Sequence, residues 1–344
     1  MIFEKNSAYI KRLLNQTVLA VASLATGASL RAAPLEEQKP ASPPETIAIA
    51  YAAHPQTALA QVAHSRGYFR GAGLEATAHK FPSGKAALEY LLEGKADFAT
   101  VAETPVMLAI MKGEKISVIA TIQTSSLAHA LLARKDRGIL SLGDIKGKRI
   151  GVAVGSSSHF FLDGILIAHG ISSKDVEVVD LKAEKIPDAL AQGDIDAGST
   201  FTPYVEHAQQ KLGSSVITFR EKTIYRYNFL VVATQEFIRK NPDKVRKMLS
   251  ALVKAEGFVR ENPAEAQIIV ADFCGIELAI VRDSWADATL AVTLDQPLIL
   301  ALEGESRWAI KGGLTGARQV PNYLDFIYLG GLKSVKPEAM RILR

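Results

Sequence analysis

The sequence predicts an α/β protein of two lobes, the second inserted into the first. Short apolar runs alternate with longer amphipathic stretches from Ile47 onward, and the pattern restarts near residue 128. A long apolar run at 229–234 is then placed to carry the chain back. Strand–helix–strand alternation of this kind implies a parallel sheet covered by helices on both faces. A chain of 344 residues, 48% hydrophobic and 22% charged, is long enough and apolar enough for two such cores.

The first lobe is expected over 46–128. Residues 47–52 are a short apolar run, as a strand buried on both faces requires, and 57–67 place Leu59, Val62 and Ala63 on one side of a helix. A strand at 74–81 precedes a helix at 85–93, where Leu88, Leu91 and Leu92 hold core spacing. A strand at 97–101, a helix at 106–112 and a strand at 116–123 complete it. The second lobe, 129–232, opens on an extended segment at 128–135 and a polar turn at 136–138. Strands at 149–154, 176–181, 197–200 and 216–219 alternate with helices at 159–169, 186–193 and 204–212. The return, 233–344, is largely helical, with Asn241-Pro242 and Asn262-Pro263 marking helix starts. Two connections between lobes, rather than one, make a hinge the natural expectation.

Ahead of the first strand lies a segment of different character. Lys5, Lys11 and Arg12 precede an apolar run over about 18–30, followed by small residues up to Ala33 and a Pro-rich stretch. Charged, apolar and small-residue regions in that order describe a secretory signal, expected over 1–33, with a linker at 34–45. The run is short for a membrane span, although an uncleaved anchor has the same ingredients.

Several function classes are disfavoured. A net charge of +4, with basic residues dispersed, lacks the patch a nucleic-acid protein gathers. The single cysteine, Cys274, rules out a disulfide framework or a thiolate-rich metal site and reads as a small buried hydrophobe. His54 and His159 lack a third metal partner, so no metal is expected.

In open α/β sheets ligands bind beyond the carboxyl ends of the strands, which directs attention to the loops there. These carry His54 and Gln56; Ser83, Gly84 and Lys85; Glu103 and Thr104; Gln123; Ser156, Ser157, Ser158 and His159; and Phe201 and Thr202. Several open helices, whose unpaired N–H groups suit an anion or polar atom, while Ser and Thr there also cap their own helix. The Gly-Ser-Ser-Ser run at 155–158 has neither the lysine and spacing of a triphosphate loop nor a three-glycine dinucleotide pattern. Tyr225, Tyr227 and Asn228 stand just before the returning strand and are candidates near the hinge.

The stretch Asp144-Ile145-Lys146-Gly147-Lys148-Arg149-Ile150-Gly151-Val152, with Gly155-Ser156, resembles importer-associated binding proteins of the sulfonate, taurine, nitrate and thiamine-pyrimidine group. Ala189-Leu190 and Gly193-Asp194-Ile195-Asp196-Ala197, running into Phe201-Thr202-Pro203-Tyr204, fit the same pattern. So do Ser83-Gly84, Gly94-Lys95-Ala96-Asp97, Asn262-Pro263 and Val335-Lys336-Pro337. The resemblance covers nearly all of the chain after the linker. It implies a type II periplasmic-binding fold with a two-strand hinge, a periplasmic location, and delivery of a trapped solute to an ABC permease in the inner membrane. Many relatives carry Trp where Phe201 stands, so an aromatic wall is kept with a different reach.

The expected function is that of a monomeric solute-binding protein without cofactor, metal, nucleic acid or catalysis. Ligand is expected to bridge His54, Ser83 and Glu103 on one lobe to Ser156, Ser157 and Phe201 on the other. Gln56, Gly84, Thr104, Gln123, Ser158, His159, Thr202 and Tyr227 complete the expected site. A cleft carboxylate at Glu103 favours an amine or nitrogen heterocycle over a sulfonate or other anion, unless Lys85 neutralises it. Its alternative role is a helix-start Glu favoured by the dipole. Two other readings keep the fold: a sensor subunit, and a pyrimidine-synthesising enzyme, whose route the resemblance ties to a cysteine-rich segment absent here. A Ser158–His159 hydrolase lacks a nucleophile-elbow pattern.

Overall fold

The computed structural model describes residues 43–343; the expected signal and most of the expected linker lie outside the described residues. Strands β1 (Glu45–Ala52), β2 (Leu74–Phe81), β3 (Phe98–Ala102) and β4 (Ile116–Ser125) belong to a first sheet. Strands β5 (His129–Arg134), β6 (Arg149–Val152), β7 (Glu177–Asp180), β8 (Ala197–Phe201) and β9 (Val216–Phe219) form a second, and β10 (Tyr227–Thr234) returns to the first. The orders are β2-β1-β3-β10-β4 and β7-β6-β8-β5-β9.

The sheets are mixed, which corrects the parallel expectation. β1 pairs in parallel with β2 and β3, and β6 with β7 and β8. β10, however, runs antiparallel between β3 and β4, and β5 antiparallel between β8 and β9. The cause is the crossing. A strand arriving from the other lobe starts at the interlobe edge, where its neighbours end, and must run away from it. Because β10 lies wholly in the first sheet, the second lobe ends near residue 226, not at 232 as expected.

Burial accounts for the apolar runs of the central strands. All five residues of β3 are buried, as are seven of the eight in β10, so each needs an apolar residue on both faces. Helices α1 (Ala58–Ser65), α2 (Gly84–Leu92) and α3 (Glu103–Met111) cover the first sheet. α4 (Ser157–Ala168) covers the second, while α5 (Pro242–Glu261) and α6 (Gln296–Lys311) come from the return. In α5, Val245, Met248, Leu249, Leu252, Ala255 and Val259 fall on one buried face at helical spacing. One apolar core joins the first lobe to the cleft side of the second. A smaller one, around Leu132, Ile186, Leu190, Ile195 and Val205, supports the outer side of the second lobe.

The two crossings are tied together. Arg220 donates to the Leu127 carbonyl and pairs with Glu206 at 2.9 Å. Asp287, from the return, accepts from the Ser126 N–H at 2.6 Å and the Ser125 hydroxyl at 3.1 Å.

Candidate functional site

A cavity of about 290 Å³ lies between the lobes. Its wall comes from the carboxyl ends of β1, β2, β3, β6, β7 and β8 and from the starts of β5 and β10. Of the residues expected there, His54, Gln56, Ser83, Gly84, Ser156, Ser157, Phe201 and Tyr227 line it, with Lys85 beside them. His129 and Phe229 line it too and were missed. They stand near the starts of the two crossing strands, where an argument confined to loops after strands does not look.

Three helices start at the cavity, and each start is built differently. Ser83 caps α2, its hydroxyl accepting from the Ala86 N–H at 3.2 Å. Gly84 lies so close to β3 that a Cβ would sit 2.8 Å from the Val101 Cα, so only glycine lets α2 approach there. Ala102 and Pro105 bring the start of α3 to the wall. Ser156 precedes α4 in extended conformation but does not cap it, and its buried Oγ has no protein partner. Ser157 Oγ lies 2.9 Å from His129 Nε2. Helix starts carry partial positive charge, so this arrangement favours an anionic or strongly accepting group.

The opposite wall is aromatic. His54 lies 5.3 Å from Phe201 and 5.4 Å from Phe229, ring centre to ring centre. Gln56 holds the histidine: its Oε1 is 2.7 Å from His54 Nδ1, while its Nε2 donates to the Thr202 carbonyl across the cleft at 2.9 Å. Gln123 backs this group, its amide nitrogen donating to the Gln56 and Pro55 carbonyls at 3.1 and 3.2 Å and its oxygen accepting from the Tyr227 hydroxyl at 2.9 Å. Burial lowers His54 to about 4 and His129 to about 3, so both imidazoles are neutral at physiological pH. A base with so low a pKa takes a proton poorly.

Six expected residues are placed elsewhere. Glu103 does not face the cavity. Its carboxylate turns into the first lobe, accepting from the Asn228 backbone N–H at 2.9 Å and from Asn228 Nδ2 at 3.3 Å. Thr104 lies behind it, 3.4 Å from the Tyr225 hydroxyl. The inference that Glu103 favours an amine therefore loses its basis: a carboxylate on the first turn of α3 points along the helix flank, away from the ligand space. Gln123 supports the wall from behind, and Thr202 contributes its carbonyl to Gln56 while its hydroxyl donates to Glu206 at 3.1 Å. Ser158 and His159 sit inside α4. The Ser158 carbonyl accepts from Ser199 at 2.8 Å, and His159 Nδ1 accepts from the Gly155 N–H at 3.3 Å. Cys274 accepts from Gln61 at 3.2 Å, and burial pushes its thiol up to about 12, an inert state.

The lobes are closed on each other. Lys85 Nζ donates to the Val154 carbonyl at 3.1 Å, and the Tyr204 hydroxyl to the Pro82 carbonyl at 2.6 Å. Farther out, Trp308 Nε1 on α6 donates to Asp163 on α4 at 2.7 Å, with Phe160 edge-on to the indole. Among the described residues no group of three or more His, Cys, Asp or Glu is placed to hold a metal, and no helix is long and apolar enough to cross a membrane.

Comparison with known proteins agrees with this architecture. Residues 54–266 match the model of the family described as NMT1/THI5 like. A Bacillus subtilis protein described as aliphatic sulfonates-binding is 30% identical over 227 residues, covering 64% of this chain and 68% of its own. A Saccharomyces cerevisiae protein, 4-amino-5-hydroxymethyl-2-methylpyrimidine phosphate synthase THI12, is 24% identical over 225 residues, covering 62% of this chain and 66% of its own. Among solved structures, the alkanesulfonate-binding protein SsuA of Xanthomonas axonopodis pv. citri superposes with a TM-score of 0.71 at 20% identity, over 84% of this chain and 99% of that one. With one family model spanning more than half of its length and the two-lobed fold in place, the chain belongs to the NMT1/THI5-like family.

Proposed function

We propose that this protein is an exported solute receptor of an ABC importer that closes over a small organic acid. The observation that carries the reading is the convergence of the starts of α2, α3 and α4 on one interlobe cavity, with a buried, unpartnered Ser156 hydroxyl among them. The acid group sits against Ser156, Ser157 and the α2 start, where N–H and hydroxyl donors meet it. Its body lies between His54, Phe201, Tyr227 and Phe229. This reverses the amine preference, because Glu103 lies behind the wall. Carboxylates do reach the cavity at Glu89, Asp180 and Glu184, but Lys85 and Lys182 accompany them. The relatives' sulfonate-binding descriptions agree with an anionic head group. Catalysis is not assigned, because the buried Ser–His pair has no effective base.

Calorimetric titration with benzenesulfonate, benzoate and benzylamine tests the reading. An acid is expected to bind, and Ser156→Ala to weaken it by about tenfold, the loss of one hydrogen bond to a charged group. Binding of the amine alone would sink the organic-acid assignment. Loss of uptake of the bound acid in a deletion strain tests the delivery step.

A further inference from the structure

The strongest unassigned feature of the cavity is the free nitrogen of His54. An amide side chain has one donating end and one accepting end, and Gln56 is oriented by its environment. Its Nε2 faces the Thr202 carbonyl, which can only accept, so its Oε1 is the end turned to His54 Nδ1 at 2.7 Å. A carbonyl oxygen there requires that Nδ1 carry the proton. His54 is 2% exposed, and burial keeps the ring neutral. Its Nε2 is therefore a bare lone pair. It has no protein partner, and His54 lines the cavity between Phe201 and Phe229. A buried acceptor left without a donor costs about 1–3 kcal/mol, and the cavity that His54 lines has room for a group that supplies one.

We propose that His54 sets ligand specificity as a hydrogen-bond acceptor, selecting acids that also carry an N–H or O–H group over analogues with a methyl in its place. The inference rests on the receptor reading and deepens it: the helix starts take the acid group, and His54 reads a second, donating group on the body. The ligand class is thus a hydroxy- or amino-substituted organic acid with a flat or apolar body, rather than a simple alkyl acid. Discrimination of this kind is steep, because a site built to meet a donor is left with an orphaned acceptor when the donor is missing.

The test is titration calorimetry with matched pairs: ortho-, meta- and para-hydroxybenzenesulfonate against the corresponding methyl compounds, the same series of benzoates, and neutral benzamides. At least one hydroxy member is expected to bind about tenfold tighter than its methyl partner, and His54→Phe to abolish that gain. Binding without any hydroxy preference overturns the inference and leaves the receptor reading intact. A preference confined to the benzamides supports His54 and overturns the acid head group; no binding in any series overturns both. Nitrogen-15 NMR of the His54 ring supplies a readout that does not depend on the variant folding. The expected signature is a protonated Nδ1, and a protonated Nε2 would overturn the proposal.

Discussion

At the scale of single residues, the least settled groups are two carboxyls that the cavity does not use. Glu103 and Glu305 are buried together where α3 packs on α6, with Tyr225 and Thr104 beside them. Glu103 Oε2 and both oxygens of Glu305 have no donor. Burial pushes Glu103 up to about 7, and burial together with the neighbouring Glu103 raises Glu305 well above the usual range. The folded state thus holds these protons more tightly than the unfolded chain. Glu103 stabilises most below its ordinary value of 4.5, and that contribution is lost as pH rises through about 7. His54 and His129 act in the opposite sense, since burial lowers both and folding favours their neutral forms. The informative quantity is therefore a difference. The melting temperature of Glu103→Gln minus that of the wild type is expected to rise between pH 4.5 and 7, and a flat difference would refute a raised Glu103.

Between elements, closure has a seam outside the cavity. Trp308 of α6 and Asp163 of α4 share a 2.7 Å bond, and His159 and Phe160 meet the indole edge-on at 5.2 Å. None of these residues lines the ligand space, so the seam stabilises the closed form whatever is bound. Trp308→Phe keeps much of the ring packing and removes the donor. A hydrogen bond to a charged group contributes about 1.5–3 kcal/mol, so the variant is expected to release ligand about tenfold faster in stopped-flow experiments. An unchanged release rate would mean that the seam persists on opening.

For the molecule as a whole, the same reasoning concerns the balance of open and closed states. Gln56–Thr202, Lys85–Val154, Tyr204–Pro82, Gln210–Glu277 and Trp308–Asp163 are among the polar links between lobes, against crossings tied by Arg220 and Asp287. An orphaned acceptor at His54 and an unpartnered hydroxyl at Ser156 disfavour closure without ligand, and a ligand that satisfies both shifts the population. Small-angle scattering should show a contraction on adding a bound acid and none on adding its non-binding analogue. Identical profiles in both cases would remove lobe closure from the mechanism.

The order of strands and helices, the two lobes and the loops from which half the cavity wall is drawn are legible in the amino-acid pattern alone. Each of these follows from local signals: apolar period, helix starts, and small residues after strands. The pattern also placed Ser83, Ser156 and Phe201 correctly at carboxyl ends of strands. Which way side chains point is settled later, when the elements pack. Glu103, one residue beyond β3, turns inward because Asn228 on the neighbouring strand offers it two donors 125 positions away in the chain. His129 and Phe229 reach the cavity because crossing strands begin there, a consequence of antiparallel pairing that no local pattern encodes. The tautomer of His54, and with it the chemistry of the cavity, is set by a glutamine that is itself held by a carbonyl of the other lobe.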